Sequence, residues 1–183
     1  MADDVSRPPG SFPEIYLDLA WNLAASTRIM HLKLPALIAA ASDPELVAIL
    51  GDCMALTGHH DGALNAIVSR IDRPARFHAA ELETLLGTSE RELSGWPRGD
   101  ARDLAIANVV RSAVYMAIPT CELAANLATL LEYRHDVAAL SRLREDIAVT
   151  DSRLQAVIRT QLAAHRLARA TSEAVKSDLN AAR

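Results

Sequence analysis

Residues 34–71 read LPALIAAASDPELVAILGDCMALTGHHDGALNAIVSRI, and the periodicity of this stretch decides the fold. Asp43-Pro44-Glu45 places a carboxylate where it accepts the free amide hydrogens of a first helical turn, followed by a proline whose missing donor costs nothing there. A helix is predicted from about Pro44. Along it Leu46, Leu50, Cys53, Thr57, His60, Leu64, Ile67 and Ile71 recur at alternating steps of four and three, which keeps them on one side of a helix, as in a bundle seam. Ser69, Arg70 and Asp72 close the run before Pro74. His60 sits squarely in the stripe and His59 near its edge. His60 is then either a core histidine with hydrogen-bonded ring nitrogens or a metal ligand, since neutral imidazole is a common one. The second reading needs partner ligands.

The composition fits a helical core. Half of the 183 residues are hydrophobic but only 4% are aromatic, so the interior is built from Ala, Leu, Ile and Val, a mixture that favours helices. The length suits one domain that needs neither disulfide nor metal to fold. No apolar run is read as approaching the roughly 20 residues of a membrane span. Met1-Ala-Asp-Asp lacks the basic-then-apolar layout of a secretory signal, so a cytoplasmic protein with no membrane association is expected. The 2 cysteines, Cys53 and Cys121, fall in separate predicted helices and read as small core residues. A net charge of −4 with so few aromatics argues against a nucleic-acid surface, which needs a basic face or stacking rings.

Outward from the second helix, residues 1–10 read as disordered. Ser11 and Glu14 have capping-box spacing and Pro13 suits a first turn, so a first helix is predicted to about Ala40, bent at Leu34-Pro35. Its apolar residues surround the axis, which implies cover on more than one side and, as an expectation, a homodimer interface through this helix. A connector at Asp72–Arg76 precedes a shorter helix from about Ala79 to Leu93. Asp100 is predicted to cap a long fourth helix containing Pro119, Tyr133–Asp136 to make the last turn, and Leu140, Leu143, Ile147, Thr150, Leu154 and Val157 to line a fifth. The bundle is expected over 11–165, with a fraying tail over 166–183.

The runs Tyr16-Leu-Asp-Leu, Lys33-Leu-Pro-Ala-Leu-Ile-Ala-Ala-Ala-Ser-Asp-Pro-Glu-Leu46 and Thr57-Gly-His-His60 resemble the YciF/YciE-like branch of the ferritin-like superfamily. Glu81–Leu86, Gly99-Asp100 with Tyr115, and Thr150-Asp151 agree in order, so the likeness spans roughly residues 12 to 162. It implies an all-α, ferritin-like antiparallel four-helix bundle with a short accessory helix, a dimer, a link to bacterial stress responses and a di-metal centre. Such a centre takes carboxylates from several helices, with Glu-x-x-His pairs. On the alignment the resemblance implies, the acids fall on Thr27, Leu56, Ala113, Met116 and Ile147, while His60 and Asp151 match. A buried carboxylate without its cation costs several kcal/mol, whereas a buried Leu, Ile or Met contributes about 1.5–3 kcal/mol, so the replacements make sense as a set.

No catalytic constellation is legible: there is no Gly-x-Ser-x-Gly elbow and no Gly-rich loop after a strand. The expectation is a non-catalytic protein with no cofactor, acting as a structural or interaction module, with an unidentified protein partner allowed for. The alternatives are a metal-handling protein or oxidoreductase with a reduced site at His60 and Asp151, and a helical subunit that regulates another protein.

Overall fold

The computed structural model describes residues 10–70 and 79–181. Five helices follow one another: α1 (Phe12–Ala40), α2 (Pro44–Val68), α3 (Ala80–Ser94), α4 (Asp100–Leu130) and α5 (Arg134–Ala181). The predicted connector at Asp72–Arg76 and the end of the stripe at Ile71 lie outside the described residues. At the start of α2, Asp43 Oδ1 accepts from Glu45 N at 2.7 Å and Leu46 N at 3.1 Å. At the start of α1 the capping box is only half used. Glu14 Oε2 accepts from Gly10 N at 2.8 Å and Ser11 Oγ at 3.2 Å, but the Ser11 side chain caps no amide.

Two predicted boundaries are corrected. Gly99, not Asp100, caps α4: its φ of 137° suits a residue without a Cβ, and its carbonyl accepts from Arg102 N and Asp103 N, both at 3.0 Å. The last turn is Leu131–Tyr133, and α5 has already begun at Arg134. Tyr133 N donates to Ala128 O at 2.8 Å and Glu132 N to Thr129 O at 3.1 Å, a Schellman arrangement with Glu132, φ 60°, where glycine is usual. Beyond the predicted start of fraying, α5 remains helical to Ala181, although every side chain from Leu162 to Glu173 is exposed.

Contacts at the two ends set the topology. At one end Tyr16 of α1 donates to Asp136 Oδ2 of α5 at 2.7 Å, and Arg70, just past α2, pairs with the other oxygen. At the opposite end Asp103 of α4 accepts from Ser42 N at 2.9 Å and Asp43 N at 2.8 Å, while Gln161 of α5 donates to Asp43 Oδ2 at 2.8 Å. So α1 and α5 run one way and α2 and α4 the other. The stretch carrying α3 crosses the length of the bundle, a long crossover of the kind known in such bundles.

The core falls into two clusters. One is built around Leu34, Leu46, Leu50, Leu86, Ile106 and Val110, the other around Tyr16, Leu23, Leu64, Cys121, Leu127 and Leu140. Ile147 packs against both. The apolar surround of α1 is used within the chain, since α2, α3 and α4 all pack on it. From Glu14 onward only Arg28, His31, Leu32, Pro35 and Ala39 of α1 are exposed. Against the sequence expectation, α4 is long and apolar enough to cross a membrane by length and composition, with a window of mean hydropathy 1.4. Here it is a bundle helix, burying Ile106, Val110, Ala113 and Cys121. Its exposed apolar side chains include Met116, Leu123 and Leu130, spaced by seven.

Candidate functional site

Five polar or charged side chains are buried among the described residues: Thr27, His60, Asp103, Asp136 and Thr150. Asp103 and Asp136 are the end clasps already described. The other three meet at mid-height, on a cavity of about 50 Å³ that lies where the two core clusters join and takes lining residues from all five helices. Leu23, Met30, Leu82, Val114 and Leu143 form much of its apolar wall, and Thr57, Cys53 and Asp146 border it as well.

His60 is 4% exposed, placed inward by the four-and-three spacing of the α2 stripe. Its Nε2 lies 2.9 Å from Asp146 Oδ2 of α5. The contact is close but Nε2 closes no well-formed hydrogen bond. Burial pushes the imidazole below its ordinary value of 6.5, and the attraction of the nearby Asp146 carboxylate opposes but does not overcome it. His59 and the Arg142 charge press the same way as burial. The ring is therefore neutral near pH 7. His59 itself is exposed and meets the His60 ring edge-on, with centroids 5.7 Å apart.

The threonines are arranged to accept. Thr57 Oγ1 donates to Met54 O at 2.8 Å and Thr150 Oγ1 to Asp146 O at 2.9 Å, so each hydroxyl proton is spent on helix backbone and its lone pairs remain. Cys53 is a buried thiol pushed up to about 11 by desolvation. Cys121, in the cluster with Tyr16 and Leu140, is pushed up to about 12, by burial and then by Glu122. Neither is a nucleophile near neutral pH.

The structure separates the two residues expected to share a metal. Asp151 Oδ1 accepts from Arg111 Nε at 2.7 Å in a part-exposed pair and does not line the cavity; Asp146 stands beside His60 instead. The signal for Asp146 was in the sequence, three residues after Leu143 and directly before Ile147, but it flanks the apolar stripe as a solvated charge would and the resemblance pointed to Asp151. By contrast Thr27, Leu56, Ala113 and Ile147, where the resemblance implies ligands, all line the cavity with His60. Met116 does not; it is 44% exposed.

The donor set does not fit a di-metal centre. Two bridged cations require several carboxylates, and the cavity supplies one, Asp146, with one imidazole, hydroxyls and a protonated thiol. Among the described residues no group of three or more His, Cys, Asp or Glu side chains is placed to hold a metal ion. A surrounding that suppresses the charge on an imidazole beside a carboxylate also penalises any other positive charge there.

Comparison with protein-family models and with curated proteins finds no match. Solved structures do match. The crystal structure of the E. coli stress protein YciF superposes with a TM-score of 0.76 at 17% identity, covering 84% of this chain and 98% of that one. YcfI from Rhodopseudomonas palustris, described provisionally as a structural protein, superposes with a TM-score of 0.73 at 13% identity over 85% of this chain and 97% of its own. At these identities the likeness establishes the architecture, and the chain shares the all-α helical bundle fold of YciF.

Proposed function

We propose that the chain is a non-catalytic ferritin-like protein whose metal-ligand positions have been replaced, and that it serves a structural or interaction role, with stress physiology as its setting. The observation that carries this reading is the convergence of Thr27, Leu56, Ala113 and Ile147 on one cavity with His60. Residues from four separate helices meet where ligands would be required, and none of those four can bind a cation strongly. The names of the two structural neighbours, a stress protein and a provisionally described structural protein, are compatible with this role. The protein then acts through its surfaces in the cytoplasm. The expected homodimer through α1 remains part of the proposal, at the exposed strip of Arg28, His31, Leu32 and Pro35.

A second reading, metal handling at a reduced site, is favoured by one contact, His60 beside Asp146. Elemental analysis of protein purified without chelators decides between them. The first reading expects sub-stoichiometric metal that does not change in His60→Ala. Stoichiometric iron or manganese that disappears in that variant overturns it.

A further inference from the structure

The central cavity has a size, a wall and a polar lining that together select a ligand class. Its volume of about 50 Å³ is room for about three waters or an organic molecule of about three or four non-hydrogen atoms. The wall is mainly Leu, Ile, Val, Met and Ala side chains, so an apolar body is accommodated without desolvating polar protein groups. Its polar lining includes His60, whose Nε2 lies 2.9 Å from Asp146 Oδ2 without a well-formed hydrogen bond, and the hydroxyls of Thr57, with His31 Nδ1 at 3.4 Å, and Thr150, whose protons are committed to backbone carbonyls. That lining offers acceptor lone pairs and an imidazole nitrogen, which suits one group able both to donate and to accept.

Charge narrows the class further. Asp146 borders the cavity and repels an anion. A cation would gain from Asp146, but the desolvation that lowers the adjacent imidazole opposes it as well.

We propose that this cavity is a binding site for a small uncharged molecule with a short apolar body and one hydroxyl group, of the short-chain alcohol class, held with its hydroxyl toward His60, Thr57 and Thr150. The inference goes beyond the surface-acting role and does not depend on it, because metal content and ligand binding are measured separately.

The test is a methyl-detected NMR titration of the full-length protein with ethanol, 1-propanol and 1-butanol, with acetate and ethylammonium as charged controls. Saturable shifts are expected at the methyls of Val114, Leu143 and Thr150, strongest for the alcohol that best fills the space, and absent with either ion. Ala113→Leu places three further carbons against the cavity and abolishes the response. If that variant does not fold by circular dichroism, Ala117→Val at the same wall takes its place. Thr150→Val removes one hydroxyl at nearly constant shape and weakens binding about fivefold. Shifts that rise linearly without saturating, that survive filling of the cavity, or that acetate or ethylammonium reproduces overturn the proposal.

Discussion

Replacing His60 by leucine tests the balance of forces at the centre of the bundle. Because burial outweighs Asp146, the folded protein releases the His60 proton at a pH where the unfolded chain, with its ordinary value near 6.5, still binds it. Between those two values the unfolded state holds the extra proton, and stability therefore rises with pH by up to about 1.4 kcal/mol per unit. The stability associated with the neutral ring is fully present above about 6.5 and is lost as pH falls below it toward the folded value. His60→Leu removes this dependence. At pH 7.5 the substitution is expected to change stability by no more than about 1 kcal/mol, since leucine fills similar space and the carboxylate it leaves behind is not buried without a partner. The Asp146 side chain is 31% exposed and stays in contact with water. The assay is urea unfolding of both proteins at intervals from pH 5 to 7.5, with the difference taken at each pH. Of the 6 histidines, the other five are common to both proteins and cancel to first order. The expected result is a variant that gains on the wild type as pH falls below 6.5. If it instead loses ground as the solution is acidified, Asp146 governs the ring, the imidazole is protonated in the fold, and the case against positive charge in the cavity collapses with it.

Four further expectations follow. Asp103→Ala removes the acceptor of two backbone amides at the α1–α2 junction and should cost about 3 kcal/mol in chemical denaturation, with Asp103→Asn intermediate; a loss below 1 kcal/mol would show that water replaces the clasp. Glu132→Gly relieves a left-handed backbone at a non-glycine residue and should stabilise by about 1 kcal/mol, so an unchanged or lowered melting temperature would contradict the Schellman reading. Cys53 and Cys121, buried and pushed up to about 11 and about 12, should react with Ellman's reagent at pH 8 only after unfolding; prompt labelling of the native protein would mean that the core opens there. Sedimentation of the wild type, Leu32→Arg and Leu123→Arg tests the proposed homodimer; a monomeric wild type would refute it. A monomer from the first alone agrees with assembly through α1, while a monomer from the second alone moves the interface to the exposed seven-residue stripe of α4.

Helices and their faces were legible because burial imposes its period on the chain: the stripe from Leu46 to Ile67 could be read residue by residue. Starts set by local chemistry were legible too, as at Asp43, whose partners are two and three residues away. What escaped were carboxylates whose partners are remote. Tyr16 meets Asp136 across 120 positions and Ser42 meets Asp103 across 61. In the sequence each such acid is simply a charge, indistinguishable from one on a solvated face. Asp146 escaped for a related reason, since its neighbour His60 lies on a different helix. The replaced positions Thr27, Leu56, Ala113 and Ile147 were found through resemblance, and periodicity alone would have passed over three of them as ordinary core.

The buried carboxylates at the ends and the buried imidazole at the centre differ in how fully they are compensated. At the ends, Asp103 faces two amides and Asp136 faces a phenol and a guanidinium, so each carboxylate is matched and joins elements far apart in the chain. At the centre, His60 has a carboxylate near Nε2 but no aligned hydrogen bond. A buried polar atom left short of a partner costs about 1–3 kcal/mol, and such atoms in folded proteins call for an explanation. An apolar residue at position 60 would avoid that cost but also give up the contact with Asp146, which is why His60→Leu is expected to be nearly neutral. Retaining the imidazole is physically consistent when something occupies the space in front of it for part of the time and returns the missing hydrogen bond. The clasps then act as the frame, and the central imidazole is the group that the proposed ligand would supply with a hydrogen bond.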